Sequence, residues 1–174
     1  MEHRLIEVRA DTDGRRIVGT VVRYGDVADI GGFFREEFVP GSIEASDVTL
    51  NAYHDPTSLL ARTGGGGMTV RDTPEAMTFE ADLPHTTGAN DVLTLVRSGV
   101  LRGASIEMHV KRDRWLDGGE HRIIQAARMS GIAIVARAAY SDSEIAALRN
   151  LVTAIDHIPG MNAGRLRQIK RSAF

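Results

Sequence analysis

Over its first two-thirds the chain carries short runs in which β-branched and other apolar residues alternate with polar ones. They lie around 3–9, 16–24, 48–54, 68–72, 77–83 and 103–112, and the period of two predicts half-buried strands. Turn signals separate the runs: Asp13-Gly14, Tyr24-Gly25, Gly31-Gly32, Pro40-Gly41, Gly64 to Gly67 and Thr73-Pro74. Residues 121–137 add one or two strands. The later stretch, Ile132-Ala133-Ile134-Val135-Ala136, is apolar enough to be buried on both faces and so to lie centrally in a sheet. The period turns helical twice. One helix follows Thr86-Thr87, with Asp91 in its opening turn, Val92, Leu95 and Val96 on one face and Gly99 as its stop. Another begins at Ser141-Asp142-Ser143-Glu144, a capping-box spacing, and its stripe of Ile145, Leu148, Val152 and Ile155 suits core packing or a dimer interface. Many short strands with two helices predict an α+β, mainly β fold, a barrel or sandwich.

Composition narrows the class. With 174 residues, 43% of them hydrophobic, the chain is sized for one domain with a real core. A net charge of −2 offers no global positive field for nucleic acid or an anionic membrane. The absence of cysteine excludes disulfides, thiolate nucleophiles and Cys-ligated zinc, and it suits a reducing compartment. The start, Met1-Glu2-His3-Arg4, lacks the order of a signal peptide, and no apolar run approaches ~18 residues, so a cytoplasmic protein is expected. Charge is nevertheless uneven. Residues 161–174 hold Arg165, Arg167, Lys170 and Arg171 and no acid, leaving 17 basic against 23 acidic residues elsewhere. Pro159-Gly160 breaks the chain just before, which predicts a domain over 1–158 and a basic tail over 159–174, either a solvated helix or a targeting arm.

Two segments carry candidate chemistry. In Gly103-Ala104-Ser105-Ile106-Glu107-Met108-His109-Val110 the strand period sends Ser105, Glu107 and His109 to one face, so a hydroxyl, a carboxylate and an imidazole share a side. The same pattern also describes a strand with one face in water. The small residues before Ser105 keep its hydroxyl approachable. In Leu50-Asn51-Ala52-Tyr53-His54-Asp55-Pro56, alternation places His54 with Leu50 and Ala52 at a strand end, where an imidazole can serve as general base or simply as a hydrogen-bonded packing group. His3, His85, His109, His121 and His157 have no metal-ligand spacing, and no metal or other cofactor is expected. The Gly64 to Gly67 run lacks the Gly-Lys-Ser/Thr ending of a phosphate loop and leads into a strand, so it reads as a hairpin, with substrate gating the other role open to it. A G-x-S-x-G elbow is missing as well.

Taken in order, several segments resemble the tailed-phage prohead proteases, which share a fold with the herpesvirus assembly proteases. They are Val18-Gly19-Thr20 with Tyr24-Gly25, Gly32-Phe33-Phe34-Arg35-Glu36-Glu37-Phe38-Val39-Pro40-Gly41-Ser42-Ile43, His54-Asp55 with Leu60-Ala61-Arg62, Ala81-Asp82-Leu83-Pro84, Asp91-Val92-Leu93, Ser98-Gly99 and Gly103-Ala104-Ser105-Ile106. The resemblance implies a closed or nearly closed β-barrel with flanking helices and a serine endopeptidase with Ser105 as nucleophile and His54 as base. It further implies a homodimer or higher assembly inside the immature capsid in the host cytoplasm. The implied substrates are scaffolding protein or a scaffold-like part of the major capsid protein, often together with the protease itself.

One segment departs from the family. Its later strand usually runs Leu-x-Glu-Val-Ser-Leu-Val followed by Pro-Ala, whereas this chain reads Met129-Ser130-Gly131-Ile132-Ala133-Ile134-Val135 and then Ala138-Ala139. Gly131 offers no orienting side chain. Either Glu107 supports His54 instead, or the pair works as a dyad, with a rate about 10⁴ lower when the orienting group is lost. Backbone N–H groups near Arg137 to Tyr140 are the expected oxyanion donors by position in the fold. The gap at Gly131 also motivates two rival readings, a noncatalytic assembly module that keeps the protease fold and a generic peptide-binding barrel.

Overall fold

A computed structural model describes residues 8–136 except 12, 13, 31 and 66. Among these lie β1 (Val8–Ala10), β2 (Arg16–Arg23), β3 (Ala28–Ile30), β4 (Phe34–Phe38), β5 (Ile43–Glu44), β6 (Thr49–Ala52), β7 (Leu59–Arg62), β8 (Met68–Asp72), β9 (Ala76–Asp82), α1 (Thr87–Arg97), β10 (Gly103–Leu116) and β11 (His121–Val135). The chain is mainly β, with one short helix among the described residues. The helix expected from Ser141, the basic tail, the Arg137 to Tyr140 segment and the first residues of the strand expected at 3–9 lie outside the described residues.

β11 organises the larger sheet. One edge pairs antiparallel with β10 along nearly its whole length. The other edge runs parallel to three short strands in turn: β4 at His121 to Ile124, β5 at Ala127 and Arg128, and β6 at Gly131 to Ile134. Being flanked on both edges suits its apolar end, where Ile132, Ala133 and Ile134 are fully buried, so the expectation of a central strand holds. β3 extends this sheet beyond β4, and β7 extends it beyond β6. The smaller sheet is antiparallel in the order β1-β2-β9-β8. Ile17, Val21, Leu50, Met77, Ile124, Met129 and Ile134 fill one shared core.

The helix closes that core because Ala89, Val92, Leu93 and Val96 recur at spacings of three and four. Its N-cap is Thr86, whose side chain accepts a hydrogen bond from Ala89 N, and it stops at Ser98 before Gly99 at φ +75°. Asp91 sits beyond the first turn rather than in it.

The expected barrel closure is not what the pairing gives. The sheets touch at two seams, where Val8 N donates to Arg102 O and where an isolated parallel bridge joins Arg62 to Gly67. Neither sheet closes on itself among the described residues. β1 and β7 each spend their ladder on one neighbour, β2 and β6 respectively, and across the seams only these single contacts form. The glycine run expected as a hairpin instead carries the chain from the larger sheet to the smaller, with Gly64 at φ +74° and Gly65 at φ +112°.

Candidate active site

The register of β10, β11 and β6 builds two neighbouring rows across the larger sheet. Ser105, Ala133 and Asn51 form one row, and Glu107, Gly131 and Thr49 form the next. Residues aligned across a sheet, and residues two apart along a strand, point to the same face. Ser105, Glu107 and Asn51 therefore converge, although 54 residues separate Asn51 from Ser105.

His54 reaches this face by a route that alternation did not predict. The period of two would place it with Leu50 and Ala52, both of which are buried in the core. Instead β6 ends at Ala52, and Tyr53 and His54 both take φ of 60°. Asp55 N donates to Ala52 O at 2.9 Å, closing a tight turn with two left-handed central residues. Tyr53 N is held by Ile134 O at 3.0 Å. The turn reverses the chain and swings the imidazole to the Asn51 side, where His54 Nδ1 lies 2.9 Å from Glu107 Oε1.

An ionised carboxylate only accepts, so Nδ1 carries the proton in this bond, and in the neutral ring Nε2 keeps its lone pair. Asn51 Nδ2 donates to the same Oε1 at 3.0 Å. The hydrogen bond from His54 holds the Glu107 carboxyl below its ordinary value; partial desolvation opposes this, while the Asn51 hydrogen bond assists. Glu107 thus lies behind the imidazole, hydrogen-bonded to its Nδ1. Gly131 lies directly across the ladder, and a Cβ there would sit 2.2 Å from Glu107 Oε2.

Ser105 is 2% exposed, and its hydroxyl has no hydrogen-bond partner. The same holds for His54 Nε2 and for Asn51 Oδ1, so three shielded polar atoms of this face are unpaired. Unpaired buried polar atoms are uncommon, and active sites are one place where they persist. No hydrogen bond joins Ser105 Oγ to His54 Nε2. Such bonds are commonly long or misaligned before substrate tightens the site.

His109 does not join the group. The register steps from Glu107 opposite Gly131 to Met108 opposite Met129, a bulge that leaves Ser130 unmatched, and His109 lies beyond it, exposed and opposite Arg128. The residue missed from sequence is Asn51. A polar residue between Leu50 and Ala52 in a buried strand was the available signal, since it is 3% exposed. Among the described residues, no cluster of His, Asp and Glu is arranged to hold a metal. A depression of about 530 Å³ opens on the smaller sheet, lined by Arg9, Thr20, Arg71 and Phe79 among others, and none of Ser105, His54 or Glu107 lines it.

The caudovirus prohead serine protease family matches residues 4–158, and the chain belongs to that family. Membership supports a serine peptidase of phage capsid maturation in general. No curated protein and no solved structure matches the chain significantly.

Proposed function

We propose that this chain is a serine endopeptidase in which Ser105 attacks, His54 transfers the proton and Glu107 orients the imidazole. The observation that carries the reading is the His54–Glu107 hydrogen bond, which leaves an unpaired Nε2 on the face that also holds an unpaired serine hydroxyl. Oγ attacks the scissile carbonyl as Nε2 accepts its proton, and the imidazolium is stabilised by the carboxylate behind it. Nε2 then protonates the leaving amine, an acyl-serine remains, and water repeats the two steps to release the acid. The proposed substrate is scaffolding protein, or a scaffold-like part of the major capsid protein, within the immature capsid, and the proposed working form is a homodimer or larger assembly; these extend the general role that family membership supports. High local concentration inside a prohead lets even a slow enzyme suffice.

Incubation with the cognate capsid and scaffold proteins tests this reading. Cleavage by the native chain and none by Ser105→Ala supports it, and intact substrate with both variants sinks it. The deep burial of Ser105 favours one second reading, a noncatalytic assembly module. Under that reading a fluorophosphonate leaves Ser105 unlabelled even in the presence of capsid protein.

A further inference from the structure

The glycine at 131 has no conformational explanation. It lies inside β11, in extended backbone that any residue adopts. A strand interior is moreover a poor place for glycine, which loses more freedom on ordering than alanine does. What distinguishes the position is the space above it. A Cβ at 131 would come within 2.2 Å of Glu107 Oε2, 3.0 Å of Glu107 Cδ and 3.3 Å of Thr49 Oγ1. The carboxylate therefore lies in the volume that a side chain at 131 would fill. On its other side the carboxylate is held by Asn51, whose amide donates at 3.0 Å to the same oxygen that accepts from His54.

We infer that Gly131 and Asn51 are positioning residues for the Glu107 carboxylate, Gly131 by vacating the seat and Asn51 by fixing the oxygen that faces His54. The inference rests on the reading of Glu107 as the orienting acid and extends it to the residues that make that orientation possible. Adding one methyl group at 131 displaces the carboxylate, and a displacement of about 1 Å in such a constellation costs on the order of 10²-fold in rate. Removing the Asn51 donor leaves the carboxylate easier to protonate, because a hydrogen bond to the ionised form is lost.

The test uses the full chain and four variants: Gly131→Ala, Glu107→Ala, the two combined, and Asn51→Leu. Glu107→Ala removes the obstruction, so Gly131→Ala lowers stability in the native background and raises it in the Glu107→Ala background. This reversal of sign amounts to a coupling of about tenfold in the unfolding equilibrium. In ¹H–¹⁵N spectra of histidine-labelled protein, the hydrogen-bonded Nδ1–H resonance of His54 is present in the native chain and lost in Gly131→Ala. In cleavage assays kcat falls about 10²-fold in Gly131→Ala with little change in KM, and the Glu107 side-chain carboxyl, followed by its ¹³C shift, titrates at higher pH in Asn51→Leu. A purely structural role for either residue moves neither the resonance nor the titration. Additive stabilities, an unchanged resonance in Gly131→Ala or an unmoved Glu107 titration in Asn51→Leu overturns the inference. Should the native chain cleave nothing while the sign reversal and the resonance behave as stated, the peptidase reading falls and the seating of Glu107 by Gly131 stands.

Discussion

The two ends of the β10–β11 pair treat buried polarity in opposite ways. At the distal end the Arg122 guanidinium is buried against Trp115, with its centre 5.5 Å from the ring centroid, and Phe34 meets the same ring edge-on. Arg122 Nε donates to Asp113 at 2.7 Å and Nη1 to Glu36 at 3.2 Å, so the three charged groups pair with one another. Trp115 Nε1 and His121 Nε2 lack a hydrogen bond there, the latter 3.7 Å from Glu37 Oε1, but the Arg122, Asp113 and Glu36 charges are all engaged. At the proximal end the Glu107 charge is held, while Ser105 Oγ, His54 Nε2 and Asn51 Oδ1 are left unpaired. One end engages its charges with one another; the other leaves a hydroxyl, a ring nitrogen and an amide oxygen open. On the proposed reading, structural and chemical uses of polarity are thus separated on a single pair of strands.

The sharpest way to break this contrast is to delete the hydroxyl. Ser105→Ala is expected to reduce kcat about a millionfold, roughly 8 kcal/mol of barrier, with an unchanged or higher Tm, because an unpaired buried hydroxyl contributes nothing to stability. Equal loss of Tm and activity would make Ser105 structural. Glu107→Gln should lower kcat by about 10⁴, as loss of the orienting carboxylate does in comparable sites. It should also flatten the dependence of Tm on acid. A carboxyl held below its ordinary value contributes stability that is complete above about pH 4.3 and is lost as pH falls through the lower folded value. A curve identical to that of the native chain in that window would remove the charge from the account.

At the opposite end Arg122→Met removes the guanidinium that Glu36 and Asp113 share and should cost about 3–5 kcal/mol by denaturant titration, with kcat of the folded fraction unchanged. A fall in kcat with full stability would show that the ends are coupled. The smallest effect belongs to the turn. Tyr53 is 53% exposed and left-handed, so Tyr53→Gly relieves about 1–2 kcal/mol of backbone strain and gives back roughly half of it as unfolded-state entropy. The net gain should be just visible as a higher urea midpoint.

Strands dominated by alternation were legible in the sequence: β2, β8, β9 and the start of β10 lie within a residue or so of their expected places. β3, β4, β5 and β7 were not. In β4 the polar residues of Phe34-Arg35-Glu36-Glu37-Phe38 hide the pattern, because Glu36 is buried by an arginine 86 residues away, a compensation that no local window contains. The site divided in the same way. Strand period put Ser105 and Glu107 on one face, but it put His109 there too, which the bulge after Glu107 undoes, and the roles of the two came only with the family resemblance. The approach of His54 to Glu107 depends on a left-handed pair at Tyr53-His54, residue types that give little local warning of it. Gly131 read as a loss when taken by itself. Only the register, which sets it opposite Glu107, turns the empty position into room for a side chain from the facing strand.

The strand bearing Ser105 and the strand leading to His54 are not neighbours, because β11 runs between them. Until residues 121–135 have been synthesised and inserted, Ser105 and His54 have no common scaffold. On the proposed reading, a nascent chain therefore carries both groups before it can use them, and chain order delays cutting until a long-range parallel ladder has zipped.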